Sequence, residues 1–371
     1  MALSPQYSWP EPDNSSLVKN GAQDIRALGD AIDTSVWNVG YGQAGKNKII
    51  NGDFRVNQRS FTSTTTTATY GFDRWSCSIA GDGTATYSAQ TFTAGAAPVA
   101  GYEGTNFARF VTTGQTTTTT RTNWLQSIED VRTFAGNTIT VSFWAKAATG
   151  TPKMSIEMTQ YFGPSGSATV IIDGGRITLS TSWARYSVTL AIPSVSGKTI
   201  NAGSNLGLLL WVSGGSDFNS RIGSMGIQSN TFDIWGVQVE YGAKASPFQL
   251  AGGGDPQSEL AMCQRYYVTL VSGIFQPIAS AFSNSATLMR SVITFPVTMR
   301  TGPTLIASSG TSYYMYRNAA SDDLFNSLTI GDTGTNACSV FNNTEIASVL
   351  GYGGYILTNN ASGSVAFSAE L

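Results

Sequence analysis

The chain reads as a mainly β protein: a short amino-terminal coiled-coil-like helix, a β-sandwich, a short linker helix and a small carboxy-terminal β domain. Three observations predict this. Beyond residue 37, apolar and polar residues alternate with period two in segment after segment, and Gly, Pro, Asn and Asp separate the segments. The chain holds 40 Gly and 41% hydrophobic residues, enough for real cores joined by tight turns. One stretch only, near the amino terminus, has a helical period.

That stretch is residues 13–36. Asp13, Asn14, Ser15 and Ser16 offer N-cap side chains ahead of the apolar positions. Val18, Ile25 and Ile32 recur every seven residues, and Leu28 fills one intervening position, as the a and d sites of a heptad do. A helix with so narrow a stripe is marginal alone. It gains stability by packing on copies of itself or by docking on the next domain, and β-branched a positions leave two and three strands open.

The sandwich follows. Residues 138–146 set Ile139, Val141, Phe143 and Ala145 on one face and Thr140, Ser142, Trp144 and Lys146 on the other. Residues 154–162 set Ile156 and Met158 against Ser155, Glu157, Thr159 and Tyr161, and residues 183–192, 206–212 and 232–241 continue the series. The poly-Thr runs 64–67 and 116–120 suit edge strands or loops equally. Gly252, Gly253, Gly254, Asp255 and Pro256 mark a flexible, helix-initiating break. Residues 258–267 then read as a short helix with Leu260, Cys263 and Tyr266 or Tyr267 inward. A second alternating region fills 268–371, including strands at 291–299 and 363–370. The expected units are therefore 1–46, 47–250, 251–267 and 268–371.

Composition excludes much chemistry. Histidine is absent from all 371 residues, so no His-based triad, proton shuttle or zinc site exists. Charged residues make up 12% and the net charge is −2, which gives no drive toward nucleic acid or anionic lipid. Cys77, Cys263 and Cys338 read as free, buried thiols rather than a disulfide framework. Residues 1–12 lack the basic start and apolar run of a secretory signal, and no stretch approaches the roughly 18–20 apolar residues that span a bilayer. The expectation is a protein made in the cytoplasm, without membrane insertion. Residues 252–254 share only glycine content with a phosphate-binding loop.

Several phrases, in order, resemble bacteriophage tail proteins with a carbohydrate-binding-module-like jelly-roll domain. They are NKIINGDF at 47–54, YGFDRW at 70–75, SFWAK at 142–146, WGVQVEYGAKASPF at 235–248, ELAMCQRYY at 259–267, FPVTMRTGP at 295–303 and FSAEL at 367–371. PEPDNSSLVK at 10–19 is similar to virion-attachment segments of tail appendages. The resemblance implies a tail fibre or minor tail protein, commonly a homotrimer. Its amino terminus would join other tail or baseplate proteins, and its carboxy-terminal part would face host-surface glycan or protein. It names no receptor and transfers no sugar-contacting residue. Modules of this kind sometimes hold a structural calcium, for which Asp53 and Glu240 are the candidate ligands; no other cofactor is expected.

Sugar binding needs flat apolar platforms beside hydrogen-bonding groups. On the sandwich the non-core positions are Trp144, Glu157, Tyr161, Trp211 and Gln238. In the last domain, Tyr313, Tyr314, Tyr316 and Arg317, followed by Asp322 and Asp323, form a second candidate surface. The bland alternatives are Trp residues packed under loops and a strand with alternate tyrosines buried. Glycan hydrolysis needs two carboxylates flanking one bond, and 23 Asp and Glu select no pair. A non-enzymatic attachment protein is the expectation. Its competitors are a purely structural tail or baseplate protein and a glycan-degrading tail enzyme.

Overall fold

A computed structural model describes residues 2–4, 9–11, 17–39, 45–319 and 321–371. The protein is mainly β, as the alternation predicts. Two antiparallel sheets face each other in the sandwich. The five-stranded sheet runs, edge to edge, Val170–Thr178, Lys153–Tyr161, Asn205–Gly214, Arg121–Glu129 and Ser76–Ala80. The six-stranded sheet runs Ala184–Ala191, Thr138–Ala147, Asn230–Tyr241, Asn106–Thr113, Thr84–Thr91 and Ser63–Thr64. Apart from two hairpins, Thr84–Thr91 with Asn106–Thr113 and Lys153–Tyr161 with Val170–Thr178, successive strands cross between the sheets, which is the jelly-roll manner of closing two layers. Ile139, Val141, Phe143, Ile156, Met158, Leu206, Leu208, Leu210, Phe232 and Ile234 fill the core between them.

The opening phrase earns its place through two asparagines. Asn47 donates to the Val237 and Gln249 carbonyls and accepts from the Ile49 and Val239 amides, so one side chain ties the entry of the sandwich to its last strand. Asn51 sits at φ 58°, where a short polar side chain is tolerated, and bridges Val56 and the Asp73 carbonyl. Between them in space, the Val237 carbonyl approaches Gly52 so closely that a Cβ there would lie 2.1 Å from it. Only glycine fits.

Both poly-Thr runs are loop for most of their length, with Thr64 alone in a strand. Ser63–Thr64 is a short edge strand, whereas 116–120 is a loop organised by Asp82, which accepts from the Thr116 and Thr117 amides and the Thr116 hydroxyl. Cys77, Cys263 and Cys338 are free and buried.

The stretch at 252–254 is tied down rather than loose. Asp255 caps the helix Pro256–Gln264 by accepting from the Gln257 and Ser258 amides, with Pro256 in its first turn. Glu259, fully buried, reaches back to the Gly252 and Asn51 amides and so pins the helix to the sandwich. Cys263, Tyr266 and Tyr267 face inward as expected, but Leu260 is 37% exposed. Glu259 takes the buried position beside it, because two backbone amides compensate that carboxylate.

Residues 267–368 form a three-stranded sheet (Tyr267–Ser272, Ser364–Ser368, Thr304–Ala307) and a seven-stranded one. The latter runs Asp322–Phe325, Tyr314–Asn318, Gly353–Thr358, Pro277–Ser283, Met289–Thr294, Ala337–Asn342 and Thr329–Thr333. Their shared core contains Met289, Ile293, Phe295, Tyr314, Tyr316, Val340, Ile356 and Phe367.

This second β unit docks on the sandwich through buried charge. Asp73 accepts from Arg59, and Glu370 accepts from both Arg59 and Arg74. Arg74 is 1% exposed and lies over the Tyr266 ring at 3.5 Å, while Arg59 lies over Tyr267 at the same distance. Arg300 donates to the Ala369 and Glu370 carbonyls, Gln58 donates to the Tyr267 carbonyl, and the Tyr70 hydroxyl donates to the Leu371 carbonyl. Charges this buried persist only when each has its counter-ion.

At the other end, the helix Gly21–Val39 follows one 3-10 turn at Val18–Asn20 and packs on the strand Pro10–Glu11, which pairs with Ala2–Leu3. The Trp9 indole donates to Ser35. Ile25 is 66% exposed, and Leu28 and Ile32 are half-buried. The Val18 side chain and the expected caps at 13–16 lie outside the described residues.

Two predictions follow from the docked seam. Glu370→Ala leaves Arg74 buried without its carboxylate and should cost about 3–5 kcal/mol, read as a lower urea midpoint. The fold should also weaken in alkali, at the seam through Tyr70 and in the sandwich core through Cys77. Burial pushes the Tyr70 phenol from 10.0 up to about 12 and the Cys77 thiol from 9.0 up to about 11. An unfolded chain releases both protons first. The stability these groups hold is therefore full below pH 9 and is lost as the pH rises from 9 to 12. Tyr70→Phe should make that fall shallower above pH 10, measured by urea titration across the range.

Candidate ligand-binding surfaces

Strand alternation places Trp144, Glu157, Trp211 and Gln238 on the outer faces of the two sheets, away from the sandwich core. The structure then covers those faces. Trp144 is 9% exposed beneath Phe248 and Arg185, and its ring meets Trp235 at 5.5 Å. Gln238 is fully buried, bonded to Glu240 and Ser246 in the segment that crosses the six-stranded sheet. On the five-stranded sheet, the short helical segments Ser216–Phe218 and Asn219–Ile222 lie over Trp211, with Phe218 at 5.3 Å and Arg221 above the ring at 5.2 Å. The same Arg221 makes a two-pronged contact with fully buried Glu157, at 3.0 and 2.5 Å. Tyr161 alone of this set is exposed, at 37%. These four side chains therefore stabilise covered faces and offer no open stacking platform, a correction to the expected sugar surface. Registers were readable from periodicity, but not that residues 216–222 and 246–248 fold back from just beyond their own strands to cover the finished sheets.

The candidate calcium ligands are likewise engaged. Asp53 accepts from Arg55 and from the Tyr102 hydroxyl. Glu240 accepts from Gln238, the Ser246 amide and the Ser246 hydroxyl, with Lys46 at 3.6 Å. Cationic and protic donors already fill both carboxylates, which does not fit a metal centre. Among the described residues no group of three or more Cys, Asp or Glu side chains could hold a metal ion.

In the second β unit the tyrosines divide. Tyr314 and Tyr316 are fully buried, with their hydroxyls satisfied by the Ser308 and Tyr352 carbonyls, and Tyr313 is half-buried. They belong to the core, against the expected tyrosine surface. Arg317 is on the opposite face of the same strand, and it is exposed.

Around Arg317 three strands build a shallow groove of about 340 Å³, lined by Phe275, Pro277, Arg317, Tyr355 and Leu357. The register explains the convergence: Arg317 lies opposite Asp322 on one side and Tyr355 on the other, and Leu357 lies opposite Pro277. All of them project from the outer face of the seven-stranded sheet. Gly354, between them, lets the strands close, because a Cβ there would stand 2.1 Å from the Arg317 carbonyl.

The groove's polar geometry is fixed. Arg317 Nε and Nη2 donate to the two Asp322 oxygens at 2.7 and 2.8 Å, and Nη1 donates to the Tyr355 hydroxyl at 3.3 Å. This pairing holds the Asp322 carboxyl below the usual carboxylate range. The Tyr355 oxygen accepts from Arg317, so its own proton remains to be donated outward. Phe275 is 58% exposed and Tyr355 37%. The result is a neutral ion pair and a phenol framed by two aromatic faces and two aliphatic side chains. Such a surface offers C–H stacking and a set of donors and acceptors with no net charge. Phe275 and Tyr355 escaped sequence reasoning, although the alternation of 353–358 already put Tyr355 and Leu357 on one face.

No family model matches this sequence, and no curated protein matches it. Among solved structures the chain is similar to a family 4 carbohydrate-binding module, at 18% identity over 52% of this chain and 98% of that one, TM-score 0.31. It is similar to a family 11 module from Clostridium thermocellum in complex with a β-1,3-1,4-mixed-linked tetrasaccharide, at 16% identity over 49% and 97%, TM-score 0.29. It is also similar to the enzymatically active domain of a bacteriophage CBA120 tailspike protein, at 14% identity over 53% of this chain and 21% of that one, TM-score 0.31. Likenesses this distant assign no ligand.

Proposed function

We propose that the chain is a non-enzymatic attachment protein that binds neutral cell-surface glycan through the Arg317 groove. The carrying observation is the arrangement of Phe275 and Tyr355 around the Arg317–Asp322 pair. Pyranose rings present an apolar face edged by hydroxyls, and this groove matches both properties on the scale of one or two sugar units. An anionic sugar is less suited, because Asp322 already neutralises the guanidinium.

The virion setting rests on the ordered phrases that resemble phage tail proteins. In that reading the chain is a tail fibre or minor tail protein, made in the host cytoplasm and carried on the particle. Its residues 1–46 join other tail proteins, and the second β unit faces the host. Three copies assemble through the stripe of Val18, Ile25, Leu28 and Ile32, and the exposure of Ile25 supports an unmet apolar face on the helix. Weak single-site binding is sufficient when linked copies raise avidity. Six buried carboxylates, Asp53, Asp73, Glu157, Asp233, Glu240 and Glu370, each hold an Arg or Lys, and this supports a structural rather than a catalytic use of them.

The test is a glycan array followed by titration with the glycans retained. Phe275→Ala, Tyr355→Ala and Arg317→Ala should each weaken binding tenfold or more, while stability stays within about 0.5 kcal/mol, as for exposed side chains. Full binding by all three variants would remove the groove from the account.

A further inference from the structure

The seam between the two β units carries a second cleft, distinct from the Arg317 groove. Two cavities of about 290 Å³ each lie on either side of Glu129. One is walled by Lys48, Gln126, Thr133, Tyr241 and Met262. The other is walled by Asp130, Arg132, Asn201, Ser204 and Arg300. We propose that this cleft is a second saccharide-binding site, shaped for a neutral chain of two or more sugar units, with Tyr241 as the stacking wall and Glu129 as the central hydroxyl acceptor.

Tyr241 is the last residue of its strand and is 55% exposed, an unusual position for a large ring. It is not loose. Buried Phe134 braces it edge-on, with ring centroids 4.5 Å apart at 66°. A braced ring keeps one face presented, and holding it there costs a ligand little ordering entropy.

Glu129 is positioned with equal care. Arg265 donates to Oε2 and Oε1 at 2.9 and 2.8 Å, and the Tyr266 hydroxyl donates to Oε2 at 2.9 Å. Burial opposes charge on this carboxyl, but those donors outweigh it and hold the group below the usual carboxylate range. It is therefore an acceptor at neutral pH, and among the described residues Oε1 takes one donor, Arg265 Nη2. Lys48 supplies a donor on the same side, and both carboxylates of the cleft are already paired, Glu129 with Arg265 and Asp130 with Arg132. An apolar ligand would strand these groups, and a strongly anionic one would meet Glu129 and Asp130. A polyhydroxylated neutral chain satisfies them, and two adjoining cavities suit more than one ring.

The position has a consequence for stability. The second cavity has walls from both units, Asn201 and Ser204 of the sandwich and Arg300 of the second unit, so a ligand that fills both cavities spans the seam and binds only the docked form.

The test uses the full chain with the Arg317 groove disabled by Phe275→Ala and Tyr355→Ala. Cello-, malto- and chito-oligosaccharides of two to four units are titrated calorimetrically. At least one series should bind with one site per chain, affinity should rise with length, and the ligand should raise the melting temperature. Adding Tyr241→Ala should weaken that binding about tenfold, whereas Tyr241→Phe, which keeps the ring, should leave it within about twofold. Silence across all three series, or binding indifferent to Tyr241→Ala, overturns the second site. Either result leaves the Arg317 groove to be judged on its own variants.

Discussion

The structure depends on a buried knot of charge where two β units meet. Asp73, Arg59, Glu370 and Arg74 alternate in sign, and the two guanidinium groups are sandwiched against Tyr267 and Tyr266. Desolvating four charges is costly, and the arrangement persists because each charge meets its opposite with good geometry. An apolar seam of equal size could slide, whereas an ion network has one register. The knot therefore fixes how the second unit sits, and with it the walls of the cleft around Glu129 and the direction in which the Arg317 groove faces.

Arg59, with Asp73 and Arg74 of YGFDRW, meets Glu370 of FSAEL from about 300 residues away in the chain. Both phrases stood out as part of a resemblance, yet nothing local told that Arg74 and Glu370 meet. Their left-handed and terminal contexts are visible only once folded: Arg74 sits at φ 70°, a conformation held by its partners. What period and turn chemistry do reveal is local. Strands at 138–146, 154–162 and 232–241, the capped helix after Asp255, and the outward phase of Trp144 and Trp211 were all legible. The burial of those two rings was not, because it comes from Phe248 and from the Phe218–Arg221 segment folding back over finished sheets.

The same distinction explains the ligand surfaces. A run rich in tyrosine looks like a binding loop, but in a strand half of its side chains must enter the core, and Tyr314 and Tyr316 do. Arg317 survives as a surface residue by parity alone. Its partners Tyr355, from another strand, and Phe275, from the turn before Pro277–Ser283, meet it only through sheet order. A rigid sheet is a suitable base for it: Pro277, Arg317, Tyr355 and Leu357 are set by a backbone ladder, and Phe275 sits in the turn that leads into it.

The central claim is that the charged seam makes the sandwich and the second β unit one cooperative body. The chain provides a reporter for each half. Six of the eight Trp, from Trp75 to Trp235, lie in the sandwich and none in the second unit, so with Trp9 and Trp37 replaced by Phe indole fluorescence follows the sandwich, while Cys338 is a free, buried thiol in the seven-stranded sheet. Urea unfolding should be followed simultaneously by fluorescence and by mass-resolved alkylation of Cys338. Coincident transitions are the predicted result. Alkylation of Cys338 at a urea concentration where the indole signal is still native would contradict the account.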